Sequence, residues 1–231
     1  MDMKIVVLGD IHGRAVWKDI IAKEQPDQVI FLGDYVSTHD NVSDEEQVFN
    51  LKEILRYKDV HPKTILLRGN HDLQHLGYDW AECSDYLPRV AELMANLKEE
   101  FLAKTQWIYV KGNTVFSHAG ISKKWLAANN LTLDGINALE PTELFGFNTK
   151  YEWDVYGTSP EQPPTWIRPS TLFSVAIPGY DQVVGHTEVK HCLNMKDTSG
   201  TSNNLWLCDA LGNGSYLVIE NDIYSVNNIN E

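Results

Sequence analysis

The sequence contains few cysteines and no long apolar run. Its three cysteines, Cys83, Cys192 and Cys208, are odd in number and lack the spacing of a metal-binding pair, so we interpret them as reduced packing thiols. No apolar stretch reaches membrane-spanning length, and the opening MDMKIVVLGD has no basic region followed by an apolar segment. We therefore expect a cytoplasmic protein that does not act at a membrane.

Clustered positive charge is also missing. The 231 residues include 19 Lys and Arg against 32 Asp and Glu, which gives a formal net charge of −13, and the basic residues are scattered. This balance argues against nucleic acid as a partner. It would also repel a phosphorylated substrate unless metal ions or local arginines reverse the charge at the site.

Internal repeats, low-complexity tracts and linkers are absent as well. With 43% hydrophobic residues, the chain is long enough to bury a substantial core. We therefore predict a single domain over residues 1–231.

Strand and helix patterns alternate in the first half. Short apolar runs predict strands at Lys4–Leu8, Val29–Leu32 and Thr64–Leu67. Helical spacing or capping predicts helices over Ala15–Glu24, after a capping box at Ser43–Glu46, and from Pro88 to about Thr105. The aromatic segment from His75 to about Leu87 has no clear period.

The second half has a pattern closer to a sheet of hairpins. Predicted strands lie at Trp107–Val110, Thr114–Ser117, Gln182–Gly185, Leu205–Cys208, Ser215–Glu220 and Ile223–Val226. Short helices are expected at Ser122–Asn130 and Pro141–Phe147, and Tyr151–Pro169 reads as a functional loop. The order predicts an α/β fold in which two sheets pack face to face with helices outside.

Polar residues follow five of the apolar runs, at the point where each ends. The motifs are GDIHG at 9–13, GDYVS at 33–37, RGNHD at 68–72, SHAG at 117–120 and GHT at 185–187. Singly, each such residue is more often a cap, a turn residue or a core histidine. Five in succession are hard to obtain without a site.

These residue types are ligands for Mn, Fe, Zn or Mg. Asp10 and His12 are two residues apart on one turn, so both can reach one cation. Asp34 could bridge this cation to a second one, whose remaining ligands would be Asn70, His118 and His186. Two metals so placed can clamp phosphoryl oxygens and hold a hydroxide in line with the leaving group.

The five motifs, in this order, resemble the calcineurin-like metallophosphoesterase superfamily, and their wording is closest to its phosphoprotein phosphatase branch. WIRP at 166–169 and the segment LCDALGNGSYLVIE also resemble bacterial and phage members, which include Ser/Thr phosphatases and diadenosine tetraphosphate hydrolases. The resemblance implies a four-layer αββα sandwich of two mixed sheets flanked by helices.

The resemblance also implies a catalytic centre with two divalent ions, of which Mn is favoured and Fe, Zn or Mg are possible. By motif, the first ion is held by Asp10, His12 and Asp34, and the second by Asp34, Asn70, His118 and His186. A hydroxide bridging the two ions would attack phosphorus. His71 would be the general acid that protonates the leaving oxygen.

The chain departs from the branch pattern just after GDYV. Ser37 and Thr38 occupy the positions of an Asp that orients the catalytic histidine and an Arg that grips phosphate, and His39 replaces a glycine. Another carboxylate, at Asp40, Asp44 or Asp72, could orient His71, although each could equally be a solvated or capping residue.

A different arginine must then grip the phosphate. Arg168, in WIRP, is the best placed by resemblance, with Arg14 as an alternative. Arg68 has two possible roles, as a second alternative for this grip or as an ion-pairing residue beneath the site.

Several other residues have two possible roles each. His75 could line the mouth of the site or be an ordinary loop histidine. The aromatic residues Trp153, Tyr156 and Trp166 could stack a nucleobase or pack against a sheet edge. His191 and Cys192 have no partner at metal-binding spacing, so we assign them no ion.

Three functions are consistent with this pattern. The first is a metal-dependent phosphatase that hydrolyses phosphate monoesters on a phosphorylated protein or small molecule. The second is a hydrolase of diadenosine polyphosphates or related nucleotides, favoured by WIRP and the aromatic loop. The third, prompted by the missing Asp-Arg pair, is a non-catalytic scaffold that binds phosphorylated partners.

Overall fold

The computed structural model describes residues 3–38, 40–147, 154, 156–195 and 204–231. The strands in this part of the chain are β1 (Lys4–Leu8), β2 (Gln28–Phe31), β3 (Ile65–Leu66), β4 (Ile108–Lys111), β5 (Thr114–Ser117), β6 (Asp181–Val184), β7 (Leu193–Met195), β8 (Leu205–Leu207), β9 (Ser215–Glu220) and β10 (Ile223–Asn228). They form two five-stranded sheets.

Helices of the described residues account for most of the remaining regular structure. They are α1 (Trp17–Glu24), α2 (Asp44–Val60), α3 (Asn70–His75), α4 (Pro88–Met94), α5 (Lys98–Lys104), α6 (Lys123–Ala128) and α7 (Pro169–Val175). None of these helices has the length and apolarity needed to cross a bilayer.

The first sheet has the strand order β10-β9-β1-β2-β3. Strands β1, β2 and β3 are parallel, with Val6 opposite Val29 and Phe31 opposite Leu66, while β9 pairs antiparallel with both β1 and β10. Their shared direction brings the carboxyl ends of β1, β2 and β3 to one edge of the sheet.

The second sheet has the order β4-β5-β6-β8-β7. Here β5, β6 and β8 are parallel, and only the outer pairs β4–β5 and β7–β8 are antiparallel. The hairpins predicted at β4–β5 and β9–β10 are confirmed, but the expectation that the second half forms a sheet of hairpins was wrong. The β9–β10 hairpin belongs to the first sheet, where β9 is an interior strand between β10 and β1, and Tyr216–Ile219 are apolar on both faces and all buried.

Side chains alternate between two cores, as strand geometry requires. In β1, Ile5 and Val7 face the second sheet and pack in a cluster that includes Phe116 and Val183. Val6 and Leu8 face the other way, into a cluster built largely from α1, α2, α4 and α5.

On the far side of the second sheet, Val115 packs with Trp125 of α6, and Val184 packs with Leu172 of α7. The layers are therefore helix, sheet, sheet and helix. The predicted α/β sandwich of two mixed sheets flanked by helices is confirmed.

Several local predictions need correction. The helix expected from Pro88 to about Thr105 is divided by a 3₁₀ turn at Ala95–Leu97. A 3₁₀ turn aligns residues three apart, which lets Met94 and Leu97 face the same core. The helix expected at Pro141–Phe147 is a single 3₁₀ turn at Glu143–Phe145. Strand β7 was not predicted, because it is short and only partly buried.

Candidate metal centre and active site

The polar ends of parallel strands from both sheets meet at one place. Asp10 follows β1, Asp34 follows β2, and Asn70 begins α3 just after β3. From the second sheet, His118 follows β5 and His186 follows β6. The structure thus brings together residues that are as far apart as 176 positions in sequence, since the backbone N–H of His186 donates to Asp10 Oδ1 over 3.0 Å.

One group of atoms surrounds the amide oxygen of Asn70. Asn70 Oδ1 lies 2.9 Å from His118 Nε2 and 3.0 Å from His186 Nδ1. His118 Nε2 is also 3.3 Å from Asp34 Oδ2. One ligand atom from each of Asp34, His118 and His186 lies within 4.8 Å of the others, so these atoms and Asn70 Oδ1 are close enough to share one cation.

A second group shares Asp34 with the first. His12 Nε2 lies 3.9 Å from Asp10 Oδ2, and one ligand atom from each of Asp10, His12 and Asp34 lies within 4.8 Å of the others. Asp34 takes part in both groups, as a bridging carboxylate would.

The outer nitrogen of each histidine in these groups contacts a backbone carbonyl. His12 Nδ1 is 2.9 Å from the oxygen of Val36, and His118 Nδ1 is 2.9 Å from that of Leu32. His186 Nε2 is 3.1 Å from the oxygen of Trp166. A carbonyl can only accept, so these outer nitrogens carry the protons. The inner nitrogens are then the ones that would present lone pairs to a bound cation, as metal-ligating histidines do.

The electrostatic field of the two groups favours a cation. Although burial opposes it, the carboxylates of Asp34 and Asp10 raise the pKa of His118 to about 10. Burial, reinforced by Asp209, raises the pKa of Asp10 well above its ordinary value. Metal ligands of these types bind in their deprotonated forms, so a divalent ion would replace the protons that the field attracts. The donor set therefore fits divalent metal ions.

Part of the backbone strain of the described residues lies at or next to the same place. His12, Asp34, Ser37 and His186 have φ angles of 43°, 49°, 70° and 63°. Residues other than glycine rarely adopt such angles, and each costs about 1–3 kcal/mol. Glycine allows close approach at Gly69, where a Cβ would lie 2.0 Å from Asp34 Oδ1.

Asp72 braces the loop that carries Asp34. Its carboxylate accepts from the backbone N–H groups of Asp34, Tyr35 and Gly69 over 2.9, 2.8 and 2.9 Å. Asp72 is fully buried and uses its oxygens on the backbone, so the hypothesis that it orients His71 is not supported.

Asp40 and Asp44, the other two carboxylates considered for orienting His71, also have different roles. Asp40 is exposed and accepts from Arg14 Nε over 2.6 Å. Asp44 begins α2 directly after the N-cap Ser43. Neither has a contact in the described structure that would orient His71.

His71 lies beside the two groups of candidate ligands. Its backbone N–H donates to Asp34 Oδ1 over 2.9 Å, and its ring packs edge-on to His12 with centroids 5.5 Å apart. Burial lowers the pKa of His71 to about 4 against the opposing attraction of Asp34. The ring Nδ1 lies 3.6 Å from Cys83 Sγ, a contact that the sequence did not reveal.

Arg168 is the N-cap residue of α7 and lies next to His186. Its Nη1 donates to the oxygen of His186 over 3.0 Å and to Thr187 Oγ1 over 3.1 Å. Burial lowers the pKa of Arg168, whereas Asp10 and Asp34 raise it, which places the guanidinium within electrostatic reach of both carboxylates.

Arg68, in contrast to Arg168, contacts residues at the end of α5. It donates to Thr105 Oγ1 and to the oxygen of Leu102, both over 2.9 Å, and lies over the ring of Trp107. Its hydrogen-bond partners among the described residues are neutral, so the ion pair suggested for Arg68 beneath the site is not found among them. Arg68 instead satisfies carbonyls at the end of α5.

His75 and the aromatic residues, for which the sequence allowed two roles each, differ in exposure and in contacts. His75 is buried, contacts the oxygen of His71 through Nδ1 over 2.7 Å and stacks on Tyr86. Trp166 is also buried, with its ring centroid 5.3 Å from that of His186, while Tyr156 is exposed. Trp153 lies outside the described residues.

Comparison with known proteins decides the family. Residues 3–190 match the family model of the calcineurin-like phosphoesterases. The chain belongs to the calcineurin-like phosphoesterase family. A comparison with curated proteins gives no match.

Solved structures share the fold of this phosphoesterase at low sequence identity. A cold-active protein-tyrosine phosphatase of a psychrophilic Shewanella species superposes with a TM-score of 0.63 and 20% identity, covering 98% of this chain and 78% of the other. A protein serine/threonine phosphatase from Saccharomyces cerevisiae gives 0.52 and 19%, covering 97% and 79%. A metallophosphoesterase from Sphaerobacter thermophilus gives 0.51 and 16%, covering 99% and 88%. At these identities the similarity establishes the fold.

Proposed function

We propose that this protein is a metal-dependent phosphatase that hydrolyses phosphate monoesters in the manner of phosphoprotein phosphatases. The observation that supports this proposal most is the pair of overlapping ligand groups that share Asp34. A histidine outside both groups, His71, lies beside them. Family membership supplies the reaction class, phosphoester hydrolysis.

The proposed metal ligands form two sets. Asp10, His12 and Asp34 would hold one ion, and Asp34, Asn70, His118 and His186 would hold the other. Mixed carboxylate, amide and imidazole donors suit Mn²⁺, with Fe, Zn or Mg²⁺ as alternatives. When bound, two such ions stabilise the charge on phosphoryl oxygens and lower the pKa of water.

Two further side chains would act on the substrate. His71 would have to gain a second proton next to the negatively charged substrate and then donate it to the leaving oxygen, a role that its ring at the edge of the ligand groups allows. Among the described residues Arg168 donates through Nη1, which would leave its other N–H groups for a phosphate oxygen. The guanidinium would take over the grip that Thr38 cannot supply.

Hydrolysis of diadenosine polyphosphates has weaker support. Its sequence argument depended on aromatic residues stacking a nucleobase, but Trp166 is only 8% exposed and already packs against His186. The scaffold hypothesis has the least support, because a phosphate-binding scaffold does not require a histidine placed like His71.

A substrate panel tests the proposal. The purified protein with Mn²⁺ would be assayed on p-nitrophenyl phosphate, phosphoserine and phosphotyrosine peptides, nucleotides and diadenosine tetraphosphate. We expect metal-dependent release of phosphate from the monoesters. Turnover confined to diadenosine tetraphosphate would replace the first function by the second, and no turnover of any compound would favour the scaffold.

A further inference from the structure

We propose that Cys83 is a positioning residue that orients the ring of His71 through a hydrogen bond from Nδ1–H to its sulfur. This inference rests on the proposed phosphatase function. The observation behind it is the distance of 3.6 Å between Cys83 Sγ and His71 Nδ1. Three carboxylates were considered for this role. Asp40 and Asp72 bind Arg14 and backbone N–H groups instead, and Asp44, at the start of α2, has no contact with His71 in the described structure.

The direction of this hydrogen bond follows from counting protons. A thiol has one proton, and that of Cys83 is donated to Gln74 Oε1 over 2.7 Å. Gln74 returns a bond from Nε2 to the Cys83 carbonyl over 2.9 Å, which fixes the pair. The sulfur can then only accept from His71, so Nδ1 of His71 carries a proton. Nε2 is left as the nitrogen that can exchange a proton with a substrate.

The segment that carries Cys83 is anchored from three sides. Besides the bond from Gln74, Ser37 Oγ donates to the carbonyl of Asp85 over 2.9 Å. The backbone N–H of Leu87 donates to His75 Nε2 over 3.0 Å. Ser37 therefore does not orient His71 itself, but it holds the loop that supplies the thiol.

Sulfur can orient the ring but adds no negative charge. Burial raises the pKa of Cys83, so the group remains a neutral thiol at physiological pH. Asn70, a proposed metal ligand, acts in the opposite direction on the pKa of the same thiol and so lies near it. A test must therefore separate an effect on His71 from an effect on metal binding.

The experiment compares Cys83→Ala and Cys83→Ser with the wild type under saturating Mn²⁺. A poorly oriented acid slows substrates with poor leaving groups most. We expect Cys83→Ala to lower kcat for phosphoserine roughly tenfold more than kcat for p-nitrophenyl phosphate, with bound metal unchanged. Cys83→Ser keeps a hydroxyl that can donate to Gln74 and accept from His71, so it should retain most of the activity on phosphoserine.

Cys192→Ala provides the matched control. It removes another shielded thiol, in the core between the sheets and away from His71, and should leave the ratio of the two substrates unchanged. Equal losses of Cys83→Ala on both substrates, or a loss that follows bound metal, would overturn the proposal. So would an unchanged ratio in Cys83→Ala.

A second measurement does not depend on activity. Nitrogen-15 NMR of the histidine rings, in protein loaded with diamagnetic Mg²⁺, reports which nitrogen carries the proton. We expect the Nδ1–H form for His71 in the wild type and a mixture of both forms in Cys83→Ala. The same mixture in both proteins would overturn the proposal. If the wild type hydrolyses no monoester but this difference is present, the phosphatase proposal fails and the role of Cys83 in holding the ring stands.

Discussion

Asp34 is the single residue on which both proposed ion sites depend. Its carboxylate is within reach of His118, while its second oxygen accepts from the backbone of His71. Its own backbone oxygen accepts from the N–H groups of Ile11 and His12. One residue thus joins the ends of β1, β2 and β3 to a histidine of the other sheet.

Replacing Asp34 by Asn tests the proposed centre. The amide is nearly the same size but removes a negative charge, so we expect loss of one or both ions and a fall in activity of several orders of magnitude. Metal analysis of the wild type should give about two ions per chain. Full activity with a single tightly bound ion, or after thorough chelation, would contradict the two-ion centre.

Replacing His71 by Asn tests the proposed acid. We expect a loss of roughly 10²–10⁴-fold on phosphoserine, the usual scale for general acid catalysis, and a much smaller loss on p-nitrophenyl phosphate. The backbone bond from His71 to Asp34 does not involve the side chain, so metal content should not change. An equal loss on both substrates would place His71 in positioning of phosphate or metal instead.

Replacing Arg168 tests the proposed phosphate grip. Charged hydrogen bonds are worth about 1.5–3 kcal/mol, so Arg168→Ala should lower kcat/KM about tenfold or more without loss of metal. Arg168→Lys keeps the charge but not the planar fork, and should restore little.

Arg89→Ala is a suitable control for Arg168, because Arg89 is exposed and pairs only with Glu45 and Glu92 among the described residues. Wild-type kinetics in Arg168→Ala would make Arg168 structural and leave Arg14 as the candidate.

At the scale of elements, α2 shows a capping signal that the sequence predicts well. The hydroxyl of Ser43 accepts from the backbone N–H of Glu46 over 3.3 Å, and the Glu46 carboxylate accepts from the backbone N–H of Ser43 over 2.9 Å. The helix packs Leu51, Ile54 and Leu55 against the first sheet. Its beginning lies only a few residues after Ser37, yet the cap itself touches none of the proposed ligands.

Ser43→Ala should therefore affect stability and not catalysis. Loss of an N-cap costs about 0.5–2 kcal/mol, which urea denaturation at fixed metal concentration would detect as a lower midpoint with an unchanged slope. Lys52→Ala, at an exposed position in the same helix, should shift the free energy of unfolding by less than about 0.5 kcal/mol. A catalytic defect in Ser43→Ala with normal stability would show that the start of α2 is coupled to the site.

Helix α3 illustrates what local sequence could not reveal. It begins within RGNHD, the motif whose ligand character was evident from sequence, but its cap is the side chain of Asp72 acting on Gly69. An N-cap glycine gives little warning of a helix, whereas Ser43 gives a strong one. The same carboxylate reaches Asp34 and Tyr35, and a contact over 38 residues has no local signature.

At the scale of the whole molecule, the sequence predicted the sandwich and the strand-end motifs because both depend on local patterns. Apolar runs mark strands, and an Asp or His after each run marks its end. Pairing between distant strands has no such mark. The assignment of β9 to the first sheet follows from its pairing with β1, more than 200 residues earlier, and β10 joins the sheet through β9.

The role proposed for Cys83 could not be predicted from the sequence for the same reason. In sequence it is a solitary cysteine in an irregular segment, 12 residues from His71. Only the anchoring of that segment by Ser37, Gln74 and His75 makes it a neighbour of the proposed acid.

The proposed ligands come from both sheets, and this has a mechanical consequence. Asp10, Asp34 and Asn70 come from the first sheet, and His118 and His186 from the second, so bound ions would act as a clasp across the sandwich. Any ligand that binds only the folded state adds to its stability, by about 2.7 kcal/mol at a hundredfold excess over Kd. Chelation should therefore lower Tm and speed amide hydrogen exchange in β2 and β5 together. Faster exchange confined to loops would mean that the sheets hold together without the clasp.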